Sequence, residues 1–194
     1  MPSVANSDID IAAAALILIG ADPITSFTET STEALVASNI YEDVVQSALC
    51  ASRWRFAANQ AELNRLTDTP TGRFDLAYQL PSDMLMLHAI TVNDNVIEYN
   101  VYGDLVYTNG SSTDKVIADY SFRVGTEKFP SYFILALEYS LASAFAVAIA
   151  RDEALGALLE RKGLQLMQQA KTLDSQQQTT RKLVTSRFIS ERRS

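Results

Sequence analysis

Cysteine and histidine each occur only once in this sequence, as Cys50 and His88. A single cysteine excludes a disulfide within the chain and a cysteine-rich metal site. A zinc site would need further His or Cys ligands, which the sequence does not offer. His88 lies within the apolar run MLMLHAITV, so we interpret it as a structural histidine. Cys50 lies on an alanine-rich stretch, and we interpret it as a small core residue.

Glycine is also scarce, with seven residues in the chain. The motifs GxGxxG, GxxxxGKS/T and GxSxG are all missing, so the usual signatures of nucleotide binding and serine hydrolysis are excluded. Several carboxylates occur in pairs, but two of these pairs fall at predicted helix N-termini, where acids are expected for dipole reasons. The sequence argues against an enzyme and predicts no cofactor. A hydrolase using Glu42, Asp43 or His88 stays open as one alternative.

Basic residues are few, and none precedes Arg53. The missing basic segment argues against a secretory signal at the apolar run 11–19. The chain has 16 Lys and Arg against 23 Asp and Glu, a balance that does not suit a general nucleic-acid binder. The longest apolar run, 133–150, contains Glu138 and many Ala and Ser residues. We therefore expect a buried helix rather than a membrane span.

About half of the sequence is apolar, which predicts a single domain with a real core over residues 1–180. Apolar periodicity and capping residues predict four helices. Ser7 caps the first helix, Thr30 and Glu33 have the spacing of a capping box before the second, and Pro130 opens the third. The predicted helices span about 7–19, 31–52, 131–151 and 153–173.

Between the two helix pairs the pattern changes to short β-like runs with turns at 94–95 and 103–104. We predict a β-rich insert over about 74–124. The segment Trp54–Phe56 is predicted to be extended, because aromatic residues alternate with a charge. The fold class is therefore α+β, mainly α. It is a helical bundle with a small antiparallel β-meander inserted between two helix pairs and an extended C-terminal tail.

The last 14 residues, RKLVTSRFISERRS, differ from the rest of the chain in charge. They carry a net charge of +4, which leaves −11 for everything before them. They also keep four bulky apolar residues. We interpret 181–194 as a docking tail in which Phe188 and Ile189 are the anchors and Arg187, Arg192 and Arg193 grip carboxylates. The full predicted set is Arg181, Leu183, Val184, Arg187, Phe188, Ile189, Arg192 and Arg193.

Two other interpretations of this tail stay open. In the first, the chain is a nucleic-acid-binding regulator whose basic tail grips DNA. The acidic body and the apolar residues of the tail argue against it. In the second, the tail is a last amphipathic turn that packs on its own subunit.

Several segments, taken in order, resemble the head-to-tail adaptors of short-tailed phages, the tail tubular protein A type. They are ILIGADPITSF, SRWRFAANQAEL, YQLPSDMLMLHAITV, YFILALEYSLASAFAVAIA and the terminal SRFISERRS. The most specific part is Trp54 and Phe56 followed by Leu80, Pro81 and Asp83, ahead of a helix rich in small residues. The resemblance covers nearly the whole chain.

The resemblance implies a structural, non-enzymatic virion protein that forms a ring, typically of twelve copies. Its partners would be the portal protein, the next tail component (a nozzle or a tail tube or terminator) and genomic DNA passing through the lumen without sequence-specific binding. No membrane is implied. The protein would lie at the head–tail interface of the virion, and in the host cytoplasm during assembly. The C-terminal segment would reach the portal.

Two departures from the family pattern bear on the type of particle. Arg53 stands where family members often have Gly, and the region between Pro81 and Pro130 is short, with little room for a fibre-docking insert. An adaptor from a long-tailed phage or a gene-transfer particle stays open.

Overall fold

Two helices precede the β-rich insert and two follow it. The computed structural model of the chain describes residues 7–67, 70 and 72–177. The predicted α+β class with mainly helix is confirmed. The helices are α1 (Asp8–Leu18), α2 (Thr32–Cys50), α3 (Ser131–Phe145) and α4 (Glu153–Gln176).

Side-chain caps set the starts of the first two helices. Ser7 caps α1 through a capping box, in which its side chain accepts from the Asp10 N–H and the Asp10 carboxylate accepts from the Ser7 N–H. α2 begins one residue later than the predicted capping box requires. Its cap is Ser31, whose hydroxyl accepts from the Ala34 N–H at 3.2 Å, so the assignment to Thr30 is wrong.

α3 and α4 form a helical hairpin. α3 runs on as a π-helix over Ala146–Ala150, and the chain then turns at Arg151, which has a left-handed φ of 53°. The Asp152 side chain caps α4 by accepting from the Leu155 N–H at 2.9 Å. With only two residues between the helical stretches, α4 folds back along α3.

Small residues allow α3 and α4 to pack closely. A Cβ atom on Gly163 would lie 3.3 Å from both the N and the Oγ of Ser140, and one on Gly156 would lie 2.9 Å from Val147 Cγ2. The alanine- and serine-rich sequence of α3 therefore serves contacts inside this chain. By length and composition the stretch Ser131–Ala150 could also cross a membrane. Here it lies at the centre of the helical core, with Phe133, Leu137, Leu141 and Phe145 fully buried.

The β-rich insert starts earlier than predicted, and it is not a single meander. Trp54–Phe56 is not an extended segment, because Arg55–Ala57 forms a 3-10 helix. The first strand follows at once, well before residue 74. The strands are β1 (Ala58–Glu62), β2 (Asn64–Arg65), β3 (Leu76–Gln79), β4 (Met84–Val92), β5 (Asn95–Val96), β6 (Tyr99–Tyr102), β7 (Leu105–Thr108) and β8 (Val116–Phe122).

These strands make two four-stranded antiparallel sheets, in the orders β1-β8-β4-β5 and β2-β3-β7-β6. The pairing of β1 with β8 sets Ala58 opposite Ser121. The β4–β5 hairpin turns at Asn93 and Asp94, both with positive φ, and the β6–β7 hairpin turns at Gly103–Asp104 as predicted.

The described residues form two hydrophobic cores. The first lies among the four helices and includes Trp54 and Phe129. The second lies between the two sheets, where Tyr78 and Val106 of one sheet meet Ile90 and Ala118 of the other. The insert therefore has a core of its own beside the helical body.

The close contact of α3 and α4 can be tested at Gly163. We expect Gly163→Val to destabilise the fold by about 1–3 kcal/mol, because the new side chain meets the α3 backbone. Ala157→Val on the exposed side of α4 is the matched control, with an expected loss below about 1 kcal/mol. Urea unfolding of both variants measures the difference. Equal losses of unfolding free energy in the two variants would show that the close approach of α4 to α3 at Gly163 does not limit their packing.

Glu138 of α3 lowers the stability of the fold by an amount that depends on pH. It is half-buried, and burial raises its pKa above the ordinary value of 4.5. A carboxyl with a raised folded-state pKa holds its proton more tightly when folded, so its ionisation lowers stability as pH rises through that pKa.

Glu138→Gln should therefore raise the melting temperature at pH 7 and leave it nearly unchanged below pH ~4, where the carboxyl is protonated in both states. Glu160→Gln, exposed on α4, serves as control and should change little at either pH. Thermal unfolding at several pH values measures both variants. A gain for Glu138→Gln that is the same at pH 4 and pH 7 would contradict the role of burial.

Candidate interaction site

Trp54, in the Trp-x-Phe segment, joins the helices to the insert. Trp54 is fully buried, and its Nε1–H donates to the Ala48 carbonyl at 2.8 Å, near the end of α2. Its ring meets Phe133 of α3 edge-on, with centroids 5.1 Å apart. The indole thus satisfies a carbonyl of the last turn of α2 and fixes α2 against α3.

Phe56 continues this contact. Its ring centroid lies 4.9 Å from that of Phe133 and 5.9 Å from that of Phe129. Phe129 and Phe133 are also 4.9 Å apart, in an edge-on arrangement. Trp54, Phe56, Phe129 and Phe133 form a group that we call the aromatic cluster. It holds the chain where it enters the insert and where it leaves it.

The Leu-Pro-x-Asp part of the motif lies elsewhere. Leu80 is buried in the core between the sheets. The carbonyl of Pro81 accepts from the Met84 N–H at 3.2 Å, which turns the chain into β4. The exposed Asp83 accepts from the Tyr120 hydroxyl at 3.5 Å. The five motif residues do not form one site, and each has a structural role.

A buried carboxylate fixes the last turn of α4. Asp174 accepts from the backbone N–H of Arg55 at 3.0 Å and from the Tyr132 hydroxyl at 2.8 Å. Burial, with this hydrogen bond to Asp174, raises the pKa of Tyr132 to about 12. An acid near a helix C-terminus is unfavourable to the helix dipole. The position of Asp174 is explained by the two groups that it binds, the Arg55 N–H and the Tyr132 hydroxyl.

The described part of the chain ends next to this carboxylate. The Gln177 side chain donates to the Tyr132 hydroxyl at 3.2 Å, and Arg55 Nη1 donates to the Gln177 carbonyl at 3.5 Å. The predicted docking tail, 181–194, lies outside the described residues. Gln177, the last residue that the structure describes here, is held by Tyr132 and Arg55. Sequence analysis missed Asp174, for which the only signal is an acid in the last turn of a helix.

A groove runs between α2 and α4, with α3 as its floor. We call it the α2–α4 groove. It has a volume of about 400 Å³. Asp43 stands on the α2 wall and Glu160 on the α4 wall, and both are exposed. The other lining residues are small or apolar: Val44, Ser47, Ala48, Ala51, Ser140, Ser143, Gly163, Leu164 and Met167.

A second polar group joins α1 and α2 to the end of the insert. The Arg123 guanidinium donates to both Glu42 carboxylate oxygens, at 2.9 and 3.1 Å. Asp8 accepts from the Tyr41 hydroxyl at 3.0 Å and from the Thr126 hydroxyl. Partial burial opposes ionisation of Glu42, but the hydrogen bonds from Arg123 and Gln46 and the charge of Arg123 together outweigh it and lower the Glu42 pKa. Glu42 is therefore an ion-paired structural acid, poorly suited to accept a proton.

The three residues of the hydrolase alternative are not brought together. Glu42 lines the cavity around Arg123, whereas Asp43 lines the α2–α4 groove. His88 lies on β4, where its Nε2 is 2.8 Å from the Ser121 Oγ. Burial, and then the charge of Arg53, lower the pKa of His88. This arrangement gives no shared site for general acid–base chemistry.

Among residues 7–67, 70 and 72–177, no group of three or more His, Cys, Asp or Glu side chains is arranged to hold a metal ion. Comparison of the sequence with protein-family models and with curated proteins finds no match.

The Asp174 contacts can be tested by replacing each partner. Asp174→Ala leaves the Arg55 N–H and the Tyr132 hydroxyl without an acceptor, and we expect a loss of about 2–4 kcal/mol in the free energy of unfolding. Tyr132→Phe removes only one of the two bonds and should cost about 1 kcal/mol. Urea unfolding measures the free energy of unfolding of each variant. Hydrogen exchange should show faster opening of the last turn of α4 in Asp174→Ala. Equal losses in the two variants would mean that the bond to Arg55 contributes nothing.

Proposed function

We propose that this chain is a structural virion protein, a head-to-tail adaptor that forms a ring between the portal and the next tail component. The observation that carries the proposal is the attachment of the end of α4 to the body. Asp174 binds the Tyr132 hydroxyl there, and the basic and apolar segment 181–194 follows a few residues later in the sequence. A fixed body with a projecting recognition peptide suits a protein that joins two larger assemblies.

Ring formation needs two different surfaces that meet head to tail and close. Large apolar side chains are exposed on each of the four helical stretches, which offers apolar contact area on more than one side of the body. The residues are Ile17, Leu18, Leu35, Leu135, Val147, Leu158, Leu164 and Leu173. We propose that some of them become buried between neighbouring copies, twelve in the ring.

The charge distribution supports a role beside DNA without tight binding. The chain outside the last 14 residues has a net charge of −11. A strongly basic lumen would bind the genome through many phosphate contacts, whereas a neutral or acidic lumen would let it slide. The positive charge is concentrated in the tail, where interspersed apolar residues favour docking on a protein over binding to DNA.

Portal binding tests the docking role of the tail. We expect the double variant Phe188→Ala/Ile189→Ala to weaken portal binding by roughly 100-fold or more, because two anchor residues are removed. Thr185→Ala/Ser190→Ala, in the same segment, is the matched control and should bind almost normally. Binding can be measured by co-sedimentation with portal rings.

Two further measurements separate the alternatives. The mass of portal-bound particles should correspond to a closed ring, and a stable non-ring stoichiometry would count against the adaptor role. If the tail acts on nucleic acid instead, deleting 181–194 will remove a steeply salt-dependent affinity for DNA and leave portal binding unchanged.

A further inference from the structure

We infer that in the free protein the α2–α4 groove binds the C-terminal segment of the same chain. Phe188 and Ile189 enter the groove, and the flanking arginines pair with the acids on its two walls. This inference concerns the isolated chain and does not depend on the proposed adaptor function.

The groove and the segment are complementary in charge. Asp43 and Glu160 lie on opposite walls, and none of the described residues that line the groove is a Lys or Arg. In the segment, Arg187 precedes the anchors, and Arg192 and Arg193 follow them. A bulky apolar pair between two cationic positions thus matches an apolar floor between two acidic walls. Arginine is well suited to such carboxylates because its guanidinium binds them bidentately.

The groove also offers the apolar contacts that such anchors need. Val44, Leu164 and Met167 line it, and Ser140 on its floor and Gly163 on its α4 wall carry almost no side-chain bulk. Met side chains adapt readily to the shape of a partner. The volume of about 400 Å³ suits two large side chains rather than the whole segment.

The chain is long enough to reach this groove without strain. Along α4, Met167 lies about 15 Å and Glu160 about 26 Å from Gln177, at roughly 1.5 Å per residue. The eleven residues from 178 to 188 can span about 36 Å when extended, at roughly 3.3 Å per residue. Phe188 can therefore reach any part of the groove from the end of α4.

Two other cavities fit the segment less well. The cavity beside Asp8 and Glu42 already contains the Arg123 guanidinium, and Val124 is the sole bulky apolar side chain among the described residues that line it. The aromatic cavity around Tyr102 and Tyr107 has Arg73 in its wall, a charge of the wrong sign for a basic segment. The α2–α4 groove combines acidic walls with an apolar interior.

Disulfide trapping in the full-length chain tests the inference. All variants carry Cys50→Ala. One adds Ser47→Cys in the groove with Ser190→Cys next to the anchors. The other adds Ser38→Cys with Ser190→Cys. Ser38 and Ser47 are both exposed on α2, on opposite faces of the helix. All four changes are small, so each chain should still fold.

We expect the Ser47 pair to close within one chain at least tenfold faster than the Ser38 pair, at a rate independent of protein concentration. Non-reducing electrophoresis and mass spectrometry follow the product. Ser47 is also nearer than Ser38 to the end of α4, which by itself favours faster closure. A second pair of variants therefore tests the acids of the groove at a fixed cysteine position. Asp43→Asn with Glu160→Gln should slow the Ser47 pair several-fold, whereas the matched neutralisation Asp22→Asn with Glu153→Gln should not.

Three results would overturn the inference. The first is equal closure of the two cysteine pairs. The second is closure of the Ser47 pair that is unaffected by the loss of Asp43 and Glu160. The third is a disulfide that forms mainly between chains and depends on concentration, which would make a second copy the occupant. The experiment contains no portal, so its failure would leave the adaptor proposal standing.

Discussion

The aromatic cluster is the contact on which the rest of the fold depends. The chain leaves the helices at Trp54 and returns to them at Phe129, and the rings of these two residues meet at Phe133 of α3. The buried indole also satisfies a carbonyl at the end of α2. Removing this cluster would take away the packing that joins α2 and α3 to the two ends of the insert. These four rings belong to the helical core, and Phe122, which packs against both hydrophobic cores, links that core to the core of the insert.

Two polar contacts also hold parts of the fold together beside the aromatic cluster. Arg123, at the end of the insert, binds Glu42 of α2, and Asp174 of α4 binds the backbone just after Trp54. Each joins residues far apart in the sequence, and each places a charged group where its partner is a fixed donor. The end of α4 is therefore tied to the body by two hydrogen bonds to Asp174.

The helices could be predicted from the sequence because their signals are local. Ser7 and Pro130 mark helix starts, and apolar spacing gives the lengths to within a few residues. β1 was missed because it is a polar edge strand, with four of its five residues exposed, and its partner β8 is far along the chain. Asp174 was missed for a similar reason. Its importance comes from Arg55 and Tyr132, and no local pattern around residue 174 indicates either one.

The position of the insert determines where the sequence can lengthen without disturbing the helical body. Its entry and exit lie side by side on the aromatic cluster, and its strands pack around a separate core. The helices also meet the insert at Arg123, which binds Glu42, so it is length added away from these contacts that leaves the helices unchanged. Sequence can be added at an outer hairpin, such as the turn at Gly103, without altering the body. The insert is thus a module whose outer end is free to diversify, while the helical body conserves the geometry that any assembly partner would meet.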